Sequence, residues 1–291
     1  YSSASGYFET VAKSGKRFPT INGELNPVFA GCYTSHADAK RYNRECENRL
    51  MSSEVLASLA SGFGQEYPTE QFRASWKKTC FNQFHDILCG TAIHAGYEYP
   101  RLLRDEVVAQ TQSASQAAMK ALAAQINTRG RGIPIVVYNP LGWARTDYVS
   151  VASPFAGCAG VPVTITDPSG RVTAGRSLGN RLTFTARDVP PMGYKVFWAN
   201  RATKPIGSNV RVNGSVAENQ FFKVSIDPKS GVITAIYDKV NHRNVVPPGQ
   251  YADLLQILSE QSDKMSAWKI GPFMDQKNLL DQGELVKIDT G

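Results

Sequence analysis

The sequence predicts a multidomain α+β chain, a three-helix bundle followed by an antiparallel β-sandwich. Three observations carry this. Between Thr34 and Thr128 apolar residues recur at three- and four-residue spacing, the period of one helix face. At Arg129-Gly130-Arg131-Gly132 a linker interrupts that pattern. Beyond it, short β-branched runs alternate with Pro- and Gly-rich turns, as in all-β domains. With 291 residues the chain is long enough for more than one domain, and we divide it at 1–33, 34–128 and 129–291.

Residues 1–33 hold one short helical stretch, Tyr7–Ala12, after which Gly15, Pro19, Gly23 and Pro27 punctuate the chain. Too few apolar residues remain for a core, so this segment is expected to belong with whatever precedes Tyr1. Thr34 or Ser35 can cap the first long helix, with Asp38 three residues past Ser35 in capping-box position. Its apolar face runs through Tyr42, Cys46, Leu50, Leu56, Leu59, Ala60 and Phe63, and Gly62 and Gly64 stop it. On its outer face Glu45 and Arg49 attract at four-residue spacing.

The second helix opens at Tyr67-Pro68-Thr69-Glu70 with Thr69 as cap. Phe72, Trp76, Cys80 and Phe84 form a stripe expected to be buried, and Gly90 ends the helix. On a continuous helix His85 and Asp86 lie about 100° and 200° round from Phe84, so they point away from the stripe. The third helix spans roughly Tyr97–Asn127, with Pro100 tolerable only in its first turn. Its face carries Leu103, Val107, Ala114, Ala118, Ala121 and Leu122, and the alanines favour close helix approach.

Strands are expected at Ile133–Tyr138, Tyr148–Ala152, Val161–Thr166, Arg181–Ala186, Gly193–Trp198, Val210–Val212, Phe221–Ile226, Val232–Asp238 and Leu254–Leu258. Turns are expected at Asp167-Pro168-Ser169-Gly170 and Asp227-Pro228-Lys229-Ser230-Gly231. The sheet reads as truncated at Gly291.

Composition narrows the function classes. Apolar residues make up 42% and charged residues 20%, the balance of a globular domain. No run of about 18 uncharged apolar residues marks a membrane span. The net charge of +7 is scattered, and the clusters Lys13-Lys16-Arg17 and Arg129-Arg131 read as solvated loops, so no nucleic-acid partner is expected. The five cysteines, Cys32, Cys46, Cys80, Cys89 and Cys158, include no CxxC. They indicate neither a disulfide framework nor a zinc knuckle, and they favour cytoplasmic residence weakly. Cys46 and Cys80 sit in apolar stripes and read as small core residues.

The chemistry concentrates in Phe81-Asn82-Gln83-Phe84-His85-Asp86-Ile87-Leu88-Cys89-Gly90-Thr91. An imidazole and a carboxylate on consecutive residues are costly to bury without partners. A helix-end cap with a satisfied histidine would also account for the dipeptide alone. Elsewhere, His94 matches no helical histidine pair and reads as a capping or surface histidine, while His36 and His242 read as bystanders in polar loops. The Asp227–Gly231 turn lacks the Walker pattern. Trp143, after a turn, is placed to stack on a ligand, whereas Trp76 lies in a core stripe.

Six strings in order resemble the class II α-mannosidases, glycoside hydrolase family 38. They are Gly23-Glu24-Leu25-Asn26-Pro27 with Gly31-Cys32-Tyr33-Thr34-Ser35, then Lys40-Arg41-Tyr42-Asn43-Arg44 with Glu47, then Asn82 through Thr91. Val137 through Trp143, Asn219 through Gly231 with Tyr237-Asp238-Lys239, and Ala267-Trp268 with Lys269-Ile270 complete the set. The resemblance implies that residues 1–33 are a tail of the catalytic α/β barrel. It also implies a zinc-dependent retaining mannosidase acting on a mannose-containing oligosaccharide or glycan. His85 would then be a Zn2+ ligand and Asp86 a contact to the sugar hydroxyls beside the metal.

Most zinc ligands, the nucleophile and the acid/base would come from an N-terminal barrel upstream of Tyr1, so the isolated chain is expected to be inactive. Asp38, Asp105 and Asp147 are not assigned the nucleophile's role. Cys89 departs from the family's common Pro and reads as neutral packing. The alternative is a non-catalytic carbohydrate-binding or structural module. A homo-oligomer is left open, and no membrane partner is expected.

Overall fold

The computed structural model describes residues 2–26, 28–155, 161–204, 207, 209–262, 264–281, 283 and 285–288. Cys158 and the chain end at Gly291 lie outside these. Helices come first: α1 (Ala4–Lys13), α2 (Ala37–Ser61), α3 (Thr69–Asn82), the single turn α4 (His85–Leu88) and α5 (Glu98–Ala123). Antiparallel sheets follow. No helix among the described residues is long and apolar enough to cross a membrane.

The long helices α2, α3 and α5 pack on one another. Cys46, Leu50 and Ala57 of α2 meet Phe72 of α3 and Val107 and Ala114 of α5 in one buried cluster. Leu56 and Ala60 meet Ala118 and Leu122 in a second. Leu50 is wholly buried, and such a side chain contributes roughly 1.5–3 kcal/mol. Small residues let α2 and α5 approach closely enough for Ser53 Oγ to donate to the Thr111 carbonyl at 3.2 Å.

Several helix expectations need correction. Neither Thr34 nor Ser35 caps α2. His36 occupies the cap at φ 46°, without a side-chain cap bond. The Ser35 hydroxyl is engaged with the carbonyls of Gly31 and Ala267. Asp38 instead accepts from Arg101 at 3.1 Å. Pro68, not Thr69, stands at the cap of α3. The α3 stripe is buried only at its start: Phe72 is buried, Trp76 half-buried, and Cys80 and Phe84 exposed. The buried face of α3 carries Phe72, Ser75 and Thr79, and Ser75 hydrogen-bonds to Gln110 of α5. Small polar residues on that face leave the larger apolar ones outside. The helix also ends at Asn82, well short of Gly90, and α5 ends at Ala123 rather than Asn127.

The first sheet contains β1 (Ile133–Asn139), β2 (Arg145–Ala152), β3 (Val163–Thr166), β4 (Val172–Leu178), β5 (Arg181–Val189) and β6 (Gly193–Arg201). Its strands run in the order β1-β6-β3-β4-β5-β2, with Ile133 opposite Ala199 and Asn139 opposite Gly193. The sheet curls so that β5 approaches β1 and β6, strands that are not its hydrogen-bonded neighbours. The apolar cluster inside this curl includes Ile165, Leu182, Phe184 and Phe197, all from this one sheet. A second sheet holds β7 (Arg211–Asn213), β8 (Val216–Glu218), β9 (Phe222–Ile226), β10 (Ile233–Asp238) and β11 (Arg243–Asn244). The strands β12 (Gln256–Glu260) and β13 (Phe273–Asn278) pair separately.

Both expected turns form. Asp167 Oδ1 accepts from the backbone N–H groups of Ser169 and Arg171 at 2.9 and 3.1 Å, and Gly170 sits at φ 83°. Asp227 Oδ1 does the same for Lys229 and Ser230 at 2.7 and 3.2 Å. Residues 129–132, read as a linker, are clamped. Trp198 Nε1 donates to the Thr128 carbonyl at 3.1 Å, and Asn200 Nδ2 to that of Arg131 at 3.0 Å. A Cβ at Gly130 would stand 2.2 Å from Trp198 Nε1, so glycine is required there. With Tyr138 Oη donating to the Met119 carbonyl at 3.2 Å, these bonds tie the helical part to the first sheet.

Candidate functional site

His85 and Asp86 do not continue α3. At Phe84 the backbone becomes extended, with ψ 137°, and His85 begins the new turn α4. The N–H groups of Ile87 and Leu88 close on the Phe84 carbonyl, both at 2.9 Å. Gln83 is pinned from below, its Nε2 donating to Asn43 Oδ1 at 3.0 Å and Glu47 Oε1 at 2.9 Å. Four residues of sequence thus reset the direction in which the His-Asp pair faces.

Asp86 is held tightly. Its carbonyl accepts from the N–H groups of Thr91 and Ala92 and from Tyr97 Oη at 3.2 Å, and Thr91 Oγ1 donates to its Oδ1 at 3.0 Å. Oδ2 stands 3.6 Å from His85 Nε2. The imidazole rests against the Phe84 ring, 4.2 Å between centroids, and 77% of the side chain is exposed. A histidine satisfied inside the helical core is therefore not what the structure contains. The ring and the 46%-exposed carboxylate open onto the surface.

Beside them lies an apolar groove of about 640 Å3, lined by Cys80, Phe81, Phe84, Ile87, Tyr99 and Pro100. This groove is where the misread half of the α3 stripe emerges.

Two distant segments meet at this corner. Gly31 N–H donates to the Trp268 carbonyl at 2.9 Å, and Ser35 Oγ to that of Ala267 at 3.1 Å. Gly90 packs against Ser35 so closely that a Cβ there would lie 2.2 Å from the Ser35 oxygen, and its φ is 82°. The strings around Gly31, His85 and Trp268, far apart in sequence, are neighbours in space. Sequence reasoning missed this junction, and it missed Tyr97 and Thr91 as the groups that hold Asp86. Thr91 had a signal, since it closes the same motif.

Among the described residues no three His, Cys, Asp or Glu side chains gather as a metal site. The described residues thus supply only part of a metal centre, for which the exposed His85 and Asp86 are the open donors. Asp105 pairs with Arg104 at 2.7 Å, and Asp147 with Arg145. Burial pushes the Asp38 carboxyl upward, but the Arg101 hydrogen bond and charge outweigh it and hold the group below the usual range. His36 stacks on Tyr97 with centroids 3.8 Å apart, and His94 lies 6.1 Å from His36. His36, in the turn before α2, thus packs on the tyrosine that holds Asp86. Cys46 is buried as expected and Cys80 is not. Trp76 donates to Glu54 at 3.1 Å, while Trp143 is exposed.

Comparison with known proteins identifies the setting of this corner. Residues 28–128 match the alpha mannosidase middle domain, and residues 217–291 match the glycosyl hydrolases family 38 C-terminal domain. Alpha-mannosidase 2C1 of Mus musculus is 25% identical over 296 residues, covering 99% of this chain and 26% of that protein. The Homo sapiens protein of the same name is 25% identical over 303 residues with the same coverage. The chain thus spans about a quarter of the length of these relatives. In Saccharomyces cerevisiae, an alpha-mannosidase is 30% identical over 152 residues, half of this chain. The fold is similar to a crystal structure of a glycosyl hydrolase family 38 protein from Enterococcus faecalis, with TM-score 0.66 and 19% identity, covering 96% of this chain and 37% of that one. With both domain models matched in order and relatives aligned along nearly its whole length, this chain belongs to glycosyl hydrolase family 38.

Proposed function

We propose that the chain works as part of a zinc-dependent retaining α-mannosidase that removes terminal α-mannosyl residues from an oligosaccharide or glycan. The observation that carries this is the exposed His85 imidazole beside a carboxylate fixed from behind by Thr91 and Tyr97. A side chain held rigidly at its base and open at its tip is arranged to meet something outside its own domain. His85 would supply one nitrogen ligand to a zinc ion whose other ligands come from another part of the full-length protein. When bound, zinc acts as a Lewis acid and template for vicinal hydroxyls.

Asp86 has Oδ1 engaged by Thr91, and Oδ2 would accept a hydroxyl hydrogen of the sugar. The nucleophile and acid/base, two carboxylates about 5–5.5 Å apart in a retaining enzyme, are assigned to that other part as well. In this reading residues 1–33 are the tail of the barrel, residues 34–128 the three-helix bundle and residues 129–291 the β-sandwich.

The test is hydrolysis of an aryl α-D-mannoside by the full-length protein and its Asp86→Ala variant. Turnover with α-mannose as the first-formed anomer, falling on the order of 100-fold in the variant, is expected. Unchanged turnover in the variant would favour the rival reading, a non-catalytic carbohydrate-binding or structural module.

A further inference from the structure

The same corner brings together two cysteines that play no part in the proposed chemistry. Cys32 lies in the one-turn 3-10 helix Ala30–Tyr33, and Cys89 closes α4. The turn folds back on itself through Ser35, whose N–H and hydroxyl both donate to the Gly31 carbonyl at 2.9 Å. Against that folded turn packs Gly90, the residue after Cys89, with no room for even one methyl group. This packing sets Cys32 and Cys89 side by side, close enough to act electrostatically on one another. Lys40 closes the third side, its ammonium donating to the Ser35 carbonyl and acting electrostatically on both sulfurs. Both cysteines are partly exposed, so a small molecule can reach them, whereas Cys46 is buried.

We propose that Cys32 and Cys89 form a site of reversible oxidation, converted by a small-molecule disulfide such as oxidised glutathione into an intramolecular disulfide. One cysteine thiolate attacks a sulfur of glutathione disulfide. A protein–glutathione S–S bond forms, the original S–S bond breaks, and one glutathione thiolate leaves. The second cysteine thiolate then attacks the protein sulfur of that mixed disulfide and expels the second glutathione thiolate. The two protein thiols are oxidised, glutathione disulfide is reduced to two thiols, and the two protons released by the protein end on them.

Burial pushes the Cys32 thiol up, the neighbouring Cys89 adds to this, and Lys40 opposes it. Cys32 therefore rests as a thiol, and forming the bond needs an oxidant. The new bond ties the 3-10 turn to the end of α4 and so braces the turn that carries His85 and Asp86.

The experiment treats the full-length native protein with oxidised glutathione, alkylates the remaining thiols and maps the peptides by mass spectrometry. A cross-linked pair of peptides joining Cys32 to Cys89, lighter by two hydrogen atoms and reopened by dithiothreitol, is expected. In Cys32→Ser, Cys89 should instead stop at a stable glutathione adduct. Two separate glutathione adducts, or two free thiols, in the unmutated native protein would overturn the proposal. So would a cross-link that forms only after denaturation. None of these readouts depends on hydrolysis, so the pair stands or falls separately from the mannosidase reading.

Discussion

Replacing Gly90 by alanine tests the corner where three segments meet. The residue sits at φ 82°, a conformation that costs an L side chain about 1–2 kcal/mol. Its Cβ would also stand 2.2 Å from the Ser35 oxygen and 2.9 Å from the Ser35 Cβ, closer than real contacts allow. Backbone on both sides must then shift, and such overpacking costs roughly 1–3 kcal/mol. Together these give about 3 kcal/mol, on the order of a hundredfold in the local opening equilibrium.

Native-state hydrogen exchange reads this directly. The amides of Thr91 and Ala92, bonded to the Asp86 carbonyl, should exchange about a hundredfold faster in Gly90→Ala. Gly142→Ala is the control, because a Cβ there meets nothing within 4 Å. A change at Thr91 and Ala92 smaller than about 0.5 kcal/mol, the scatter of ordinary surface substitutions, would refute the reasoning.

Three further outcomes follow from the same coordinates. Asp167→Ala removes a carboxylate that is 5% exposed and accepts from Ser169, Arg171 and Lys195, so denaturation at neutral pH should show a loss of about 3 kcal/mol. Burial alone would raise the Asp167 carboxyl, but those hydrogen bonds hold it far below its ordinary 3.8. A depressed folded value means that its contribution is complete above the unfolded value. The wild-type advantage over Asp167→Ala should therefore persist to about pH 4 and fade below it. Gly130→Ala drives a methyl into the Trp198 indole and should cost about 1–3 kcal/mol, with a shifted tryptophan emission at the helix–sheet junction. Tyr97→Phe deletes the hydroxyl that donates to the Asp86 carbonyl and accepts from Ala92 N–H, and should speed local exchange at Ala92 about tenfold.

Much of the fold was legible because its signals are local. The face Leu103, Val107, Ala114, Ala118, Leu122 is buried as its spacing implies, and the Asp167 and Asp227 turns form through their own side chains. What failed depended on partners. The stripe Phe72, Trp76, Cys80, Phe84 has helical spacing, but only tertiary packing reveals that Ser75 and Thr79 are buried while Phe84 is 53% exposed. The strands β4, β8, β11 and β13 escaped notice. β4 carries Gly175, pressed between Leu182, Ile165 and Val163, while β13 is exposed along its length. Neither shows an apolar alternation, so neighbours rather than propensity define them. At the candidate site the His85-Asp86 pair was visible from residue chemistry alone. The break at Phe84 and the meeting of Cys32 with Cys89 were not, since no spacing rule links turns so far apart in the chain.

The central claim is that His85 reaches out of its own domain toward a metal ion. Its side chain is exposed, so His85→Ala should leave folding within about 0.5 kcal/mol of wild type. The decisive measurement is the zinc content of the full-length His85→Ala protein, determined alongside its melting curve and its hydrolysis of an α-mannoside. The expected result is an intact fold that has lost bound zinc and hydrolysis together. A folded variant that keeps zinc at the wild-type stoichiometry would contradict the claim.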